Sequence, residues 1–204
     1  LRLGDFGEDS TCKYSILTRG TSPQEFQTAI SLKCNTKKIC FGKDCSEFIG
    51  EEKVKKERVS DHEDIEKVMA DEMLRCWDLM GQGKIDLFGS LKKGLGGDAD
   101  ELSCVICSRF AFDESEKKLL KDVRVSEYLK NNKVPGSDVS YLSRLAGDKS
   151  VSSYADVKIS EVEDLEVHKM GNEKTDEYVV VFTQIKPQEY KKVFGKLTKI
   201  GLTA

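Results

Sequence analysis

The chain has 204 residues, enough for one domain or two small ones at roughly 100–200 residues each, and enough to bury a core. Hydrophobic residues make up 38% and charged residues 34%, with a formal net charge of −3, which excludes the low-hydrophobicity, high-charge signature of disorder. Lys and Arg are interspersed with Asp and Glu, so no basic surface for nucleic acid is indicated, and only His62 and His168 are present for histidine-based catalysis or metal binding.

Residues 12–18 carry strand formers, Gly20-Thr-Ser-Pro-Gln24 is turn chemistry, and residues 26–34 alternate imperfectly. This predicts a β-hairpin centred near Pro23, forming a small lobe within residues 1–50. A helix over 22–32 is the alternative for its second arm. A third short strand is expected over 38–41. Residues 51–59 are a charge run, read as a solvated strand or loop.

The clearest helical pattern runs over about 61–80. Ser60 and Glu63 make a capping box. Ile65, Val68, Met69, Met73, Cys76, Trp77 and Met80 recur at helical spacing along one face, and Gly81 and Gly83 supply the stop. A sulfur-rich stripe of this kind is read as core packing in preference to a cofactor-binding face. Gly81-Gln-Gly-Lys84 has a scrap of phosphate-loop composition, but it lacks the spacing and follows a helix instead of a strand.

Residues 89–100, with Gly94, Gly96 and Gly97, read as a mobile loop. The apolar run over 102–112 predicts a strand whose Cys104, Ile106, Phe110 and Phe112 share the core face. Short helices are expected near 125–130 and 137–145, on either side of a turn at Val134-Pro-Gly136. Val157, Ile159 and Val162 alternate, and 172–176 reads as a turn. Residues 177–185 give the strongest strand, and the continuous apolar run implies a central position covered on both faces. Pro187 ends it, and 188–194 suit a last turn of helix. The expected fold is one α+β domain over residues 1–204. It has a mixed or antiparallel sheet, one long amphipathic helix, several short helices and disulfide support.

The seven cysteines are Cys12, Cys34, Cys40, Cys45, Cys76, Cys104 and Cys107. That load favours disulfides in an oxidising compartment over a zinc site or inert buried thiols. Only Cys104 and Cys107 have the shortest metal-ligand spacing. Residues three apart on a strand point to opposite faces, so the two grip one metal only if the strand bends. The same geometry argues against a redox pair, which normally sits at a helix N-terminus. The segment from Cys40 to Cys45 suits a metal knuckle or a small disulfide loop, and the loop is the expectation. Across the first hairpin, Cys12 is expected to meet Cys34. Cys76 is expected to bridge to the 102–112 strand, at Cys104 in preference to Cys107 because the Cys104 face is the more apolar. The odd count leaves one cysteine free or paired outside the chain.

Several pieces recur in order: Ile30-Ser-Leu-Lys-Cys34 with Ile39-Cys-Phe41, then Met73-Leu-Arg-Cys-Trp77 with Met80-Gly-Gln-Gly-Lys-Ile-Asp-Leu-Phe88. Cys104-Val-Ile-Cys-Ser-Arg-Phe-Ala-Phe-Asp113 and Tyr178-Val-Val-Val-Phe-Thr-Gln184 follow. The set resembles an uncharacterised archaeal group of membrane-anchored proteins with a cysteine-containing extracytoplasmic domain. The resemblance implies a domain at the extracytoplasmic face of the cell membrane, and it supplies no catalytic residue.

No stretch approaches the ~20 apolar residues of a membrane span. The chain begins at Leu1, and its last residues lose charge toward Ala204, so an anchor is expected in segments outside it. The functional expectation is a non-catalytic domain for cell-surface assembly or partner binding. Its partner would be a protein or a second copy, with no nucleic acid, cofactor, metal or catalytic residue. The alternative is a thiol-disulfide oxidoreductase or zinc-binding module built on Cys104 and Cys107. His62, His168 and the Asp176/Glu177 pair read more simply as solvated or turn positions.

Overall fold

A computed structural model describes residues 3–27, 29–85, 87, 104–146 and 177–183. The expectations for 89–100, 157–162, 172–176 and 188–194, and the placement of His168, lie outside the described residues. The order of elements is α1 (Leu3–Thr21), α2 (Gln24–Gln27), β1 (Lys37–Phe41), β2 (Val54–Glu57), α3 (His62–Leu79), β3 (Cys104–Phe112), α4 (Val125–Asn131), α5 (Tyr141–Leu145) and β4 (Tyr178–Thr183). The strands form one mixed sheet in the order β2-β1-β3-β4. β1 runs parallel to both β2 and β3, and β4 is antiparallel to β3. The α+β class, the mixed sheet, the long helix and the disulfide support are as expected.

α3 lies on one face of the sheet because both surfaces need covering. Ile65 and Met69 of α3 pack against Ile39 and Phe41 of β1 and Phe110 and Phe112 of β3. Phe41 stacks on Phe112 at 4.9 Å between ring centroids, and Tyr178 of β4 meets Phe112 edge-on at 5.6 Å. A second part of the core joins Cys12 and Ile16 of α1 to Cys76, Leu79, Met80, Leu87, Cys107 and Phe182. α4 and α5 close the far side of α3 through Tyr128, Leu129 and Tyr141 around Ala70. There Tyr141 Oη donates to Asp71 at 2.5 Å. The opposite sheet face carries Cys40 and Ala111, covered by Cys45 and Phe48.

The helix predicted over 61–80 forms, with a shifted cap. Asp61, not Ser60, is the N-cap: its carboxylate accepts from the Asp64 N–H at 3.1 Å, and Asp64 in turn accepts from the Ser60 N–H at 2.8 Å. The reciprocal logic of the capping box survives one residue along, with Asp64 serving in place of Glu63. Gly81, at φ +70°, follows the helix where expected.

The expected N-terminal hairpin is absent. Residues 3–21 are the helix α1. Its buried face is Cys12, Ser15, Ile16 and Arg19, an i, i+3, i+4, i+7 set. Two of those four are polar, so the helical period is masked in a count of apolar residues. The β-formers Tyr14, Leu17 and Thr18 take the outer and flanking positions. Tertiary packing thus overrides local propensity. α1 passes so close to the segment that follows α3 that a Cβ on Gly20 would lie 1.9 Å from Ile85 Cγ2. The alternative helix over 22–32 reduces to α2 and its four residues.

β3 departs from a simple alternation. Its register against β4 shifts between Ile106 and Ser108, a β-bulge at Cys107. Before the bulge Val105 and Cys107 face α3; after it Ser108, Phe110 and Phe112 do. Cys104 therefore falls on the other face from Phe110 and Phe112, despite its even spacing from them. It is exposed and free. The expected Cys76–Cys104 bridge is replaced by Cys76–Cys107, with Cα atoms 5.7 Å apart.

β4 also differs. Among the described residues it is an edge strand, and Val181 on its outer face is 40% exposed, so it is not the doubly covered central strand. β1 takes the interior position next to β3, and Ile39, Cys40 and Phe41 are fully buried.

The Cys76–Cys107 bridge closes a loop with a sequence separation of 31. In the chain-entropy model this is worth on the order of 3–4 kcal/mol. Cys107→Ser should lower stability by about that amount in chemical denaturation under oxidising conditions and far less under reduction. Cys104→Ser should leave it within about 0.5 kcal/mol. The reverse order of the two variants would show that Cys104 is the bridging partner.

Candidate functional site

Residues 30–36 run back along the buried face of α1 before entering β1. Arg19 Nη1 donates to the Ile30 carbonyl at 3.1 Å, the Lys33 N–H donates to Ser15 Oγ at 2.9 Å, and Cys12 is bonded to Cys34 with Cα atoms 4.4 Å apart. The spacing 12, 15, 19 is the helical repeat, so one face of α1 carries all three ties. At the far end Thr36 Oγ1 donates to the Ile106 carbonyl at 3.0 Å, joining the segment to β3. Above the Cys12–Cys34 bridge a groove of about 520 Å³ opens between Gly7, Glu8 and Thr11 of α1 and Leu32, Cys34 and Asn35 of the segment. The expected Cys12–Cys34 pair is present, though it joins a helix to an extended strap and not two hairpin arms.

A buried carboxylate lies between the layers. Glu72 of α3 accepts from Lys37 Nζ at 2.5 Å, Arg75 Nη1 at 3.2 Å and Ser108 Oγ at 2.8 Å. Arg75 also makes a bidentate pair with Asp9 of α1, at 3.0 and 2.9 Å. One chain of charges thus links α1, α3, β1 and β3. The Ser108–Glu72 contact has the form of a hydroxyl beside a base. Ser108 is fully buried, however, and Glu72 is engaged by two cations, so neither group meets a substrate. Glu72 was legible in part, since it sits at a stripe position between Met69 and Cys76.

On the opposite sheet face Arg109 pairs bidentately with Glu177, contacts Glu51 at 3.2 Å and stacks over Phe48, with Cζ 5.3 Å from the ring centroid. Lys38 reaches the same Glu51 at 2.6 Å, and its hydrogen bond is the main cause holding that carboxylate below its usual range. Glu177 thus adds a tie at the start of β4 to the ladder that pairs β4 with β3. Its sequence neighbour Asp176 lies outside the described residues.

The third feature is the loop closed by Cys40–Cys45, whose Cα atoms are 5.7 Å apart, as expected. Asp113 accepts from the N–H groups of Ser115 and Asp44, both at 3.1 Å, and of Lys43 at 3.3 Å. These bonds, that from Ser115 foremost, depress its pKa to about 2. Gly42 makes the turn at φ +112°, and a Cβ there would lie 2.4 Å from Asp113 Cβ. Gly42, Asp113 and the disulfide therefore form one compact knot at the end of β1.

The remaining candidates separate in space. Cys104 is exposed while Cys107 is buried and bonded to Cys76, so the two make neither a dithiol nor a metal clip. Residues three apart on the strand face opposite ways, and the bulge lets Cys107 meet α3 beside Ser108. Gly81-Gln-Gly83 is a single 3-10 turn, and Lys84 Nζ turns back onto Gln82 Oε1 at 3.3 Å, leaving no cradle aimed at a phosphate. His62 is the exposed first residue of α3. Three disulfides in one chain mark an oxidising environment.

Glu72→Ala leaves Lys37 and Arg75 partly buried without their shared partner, and should cost about 2–4 kcal/mol in denaturant unfolding, with Glu72→Gln costing less. A loss below about 0.5 kcal/mol would mean the cluster contributes nothing net. Asp113 titrates lower in the fold than its ordinary 3.8, so its stabilisation is complete above that value and disappears as pH falls through about 2. Asp113→Ala should therefore be less stable than the native chain at pH 5, and the difference should close toward pH 2. A difference that is constant across thermal melts from pH 5 to pH 2 would refute the stabilising role of the Asp113 carboxylate.

No protein-family model, no curated protein and no solved structure matches this chain.

Proposed function

We propose that the chain is the extracytoplasmic domain of a membrane-anchored protein and serves in cell-surface assembly, by binding a protein partner or a second copy, with no chemistry of its own. The observation that carries this reading is the distribution of the three disulfides. One ties α1 to the strap, one closes the loop after β1, and one joins α3 to β3. A domain stapled in each layer suits an oxidising compartment outside the cytosol. The resemblance to an archaeal membrane-anchored group agrees with that compartment.

No helix among the described residues is long and apolar enough to cross a membrane, so the reading assigns the anchor to other segments. The binding role is supported by how the polar groups are used. The carboxylates at Glu72, Glu51, Glu177 and Asp113 are each spent on holding elements together. Meanwhile Tyr14, Phe26 and Ile49 stand 60% or more exposed, and large apolar side chains of that kind are the usual anchors of protein interfaces.

The test is protease treatment of intact cells that make the full-length protein. The domain should be cleaved from the outside, fractionate with membranes beforehand, and yield one alkylatable thiol when unfolded without reductant. Protection of the domain in intact cells, or seven reactive thiols, would overturn the compartment. Turnover of a substrate by the purified chain, lost on replacing one polar residue, would overturn the non-catalytic role.

A further inference from the structure

The three disulfides are not equally accessible. Of the six bridged cysteines, Cys12, Cys40, Cys45, Cys76 and Cys107 are each at most 7% exposed. Cys34 alone among them is only partly buried, and it lines the groove against α1. On the α1 wall Gly7 adds no side chain, Thr11 turns its hydroxyl back to the Gly7 carbonyl at 2.8 Å, and Glu8 pairs with Lys53 at 2.5 Å and with Asn35; Leu32 is the apolar part of the lining. A nucleophile entering the groove meets Cys34, with Cys12 behind it in the core.

We propose that the Cys12–Cys34 bridge is a reducible latch, opened by a dithiol that attacks Cys34 from this groove. A thiolate of the dithiol bonds to Cys34 Sγ, the Cys12–Cys34 bond breaks, and Cys12 leaves as a thiolate and takes a proton. The second thiolate of the reagent then displaces Cys34 from the mixed disulfide, and Cys34 takes a proton in its turn. The dithiol is oxidised to a disulfide and the bridge is reduced by two electrons. Residues 29–36 are then held to α1 by the Arg19–Ile30 and Ser15–Lys33 hydrogen bonds. The sheet keeps both of its own bridges. Since the strap is one wall of the groove, opening the latch remodels the groove itself. This inference concerns the bridge and stands independently of membrane anchoring.

The experiment uses the intact folded chain with Cys104 alkylated first, so that its free thiol cannot scramble the bridges. Dithiothreitol is titrated without denaturant, newly freed thiols are trapped with a second alkylating label, and peptides are mapped by mass. Cys12 and Cys34 should acquire the label about ten-fold faster than the other four. First opening at Cys40–Cys45 or Cys76–Cys107, or release of all three bridges in one step, would overturn the proposal. Gly7 lines the groove and a Cβ there has nothing within 4 Å, so Gly7→Phe adds bulk to this wall without a clash at Cβ. It should slow labelling of Cys12 and Cys34 several-fold and leave the other bridges unchanged. An unaltered rate in that variant would show that the groove is not the route.

Discussion

At the seam between α3 and β3, two consecutive residues of one strand are tied to the same helix. Cys107 is bonded to Cys76, and Ser108 donates to Glu72 one turn earlier. Neighbouring residues of a regular strand point to opposite faces, so both ties hold only because β3 bulges there. The bulge sets which residues enter the core on either side of it. Val105 faces the Cys76 end of α3, and Phe110 and Phe112 face Ile65 and Met69. β1 takes its register from the second half of β3, with Ile39 beside Phe110 and Phe41 beside Phe112, and β2 takes its own from β1. The chain of charges through Arg75 to Asp9 carries the same seam out to α1.

Much of this was legible and some was not, for identifiable reasons. The stripe from Ile65 to Met80 and the glycines after it locate α3, because periodicity over 18 residues outweighs any one misplaced cap. The Cys40–Cys45 loop was expected over a metal knuckle of the same spacing, since four residues with a permissive glycine among them can close a small ring. α1 was hidden because Ser15 and Arg19 occupy its buried face. Ser15 finds its partner in the Lys33 N–H and Arg19 Nη1 in the Ile30 carbonyl, which no local pattern can reveal, while Arg19 Nε and Nη2 are buried without a hydrogen bond among the described residues. The Cys104–Cys107 choice failed on parity: the even spacing of 104, 106, 110 and 112 describes a strand without a bulge. β4 looks central by composition, but Val181 is accommodated at the sheet edge.

The polar interior divides into groups with different weights. Glu72 is nearly buried and shared by two cations and a hydroxyl, so its removal strands charge in the core. The Arg109 cluster is more open to solvent, and its specificity rests on bidentate geometry and on the Phe48 ring beneath it. Pairs such as Lys56–Asp44 are largely exposed and contribute little to stability. The charge content of the sequence therefore overstates the electrostatic contribution, which concentrates where elements cross.

The bulge also bears on how the chain acquires its covalent structure during folding. β3 offers Cys76 two thiols three residues apart, and the alternation of the sequence favours the wrong one, Cys104. Before the strand is seated, Cys104 and Cys107 are comparable partners, and exchange between them runs over seconds to hours. Only packing selects Cys107, when Phe110 and Phe112 dock beneath α3 and the extra residue is extruded. Cys12–Cys34 and Cys40–Cys45 span 22 and 5 residues, so each can close before the sheet exists. Cys104 lies on the other face of β3, so the Cys76–Cys107 bridge and the bulged register require each other in the folded chain.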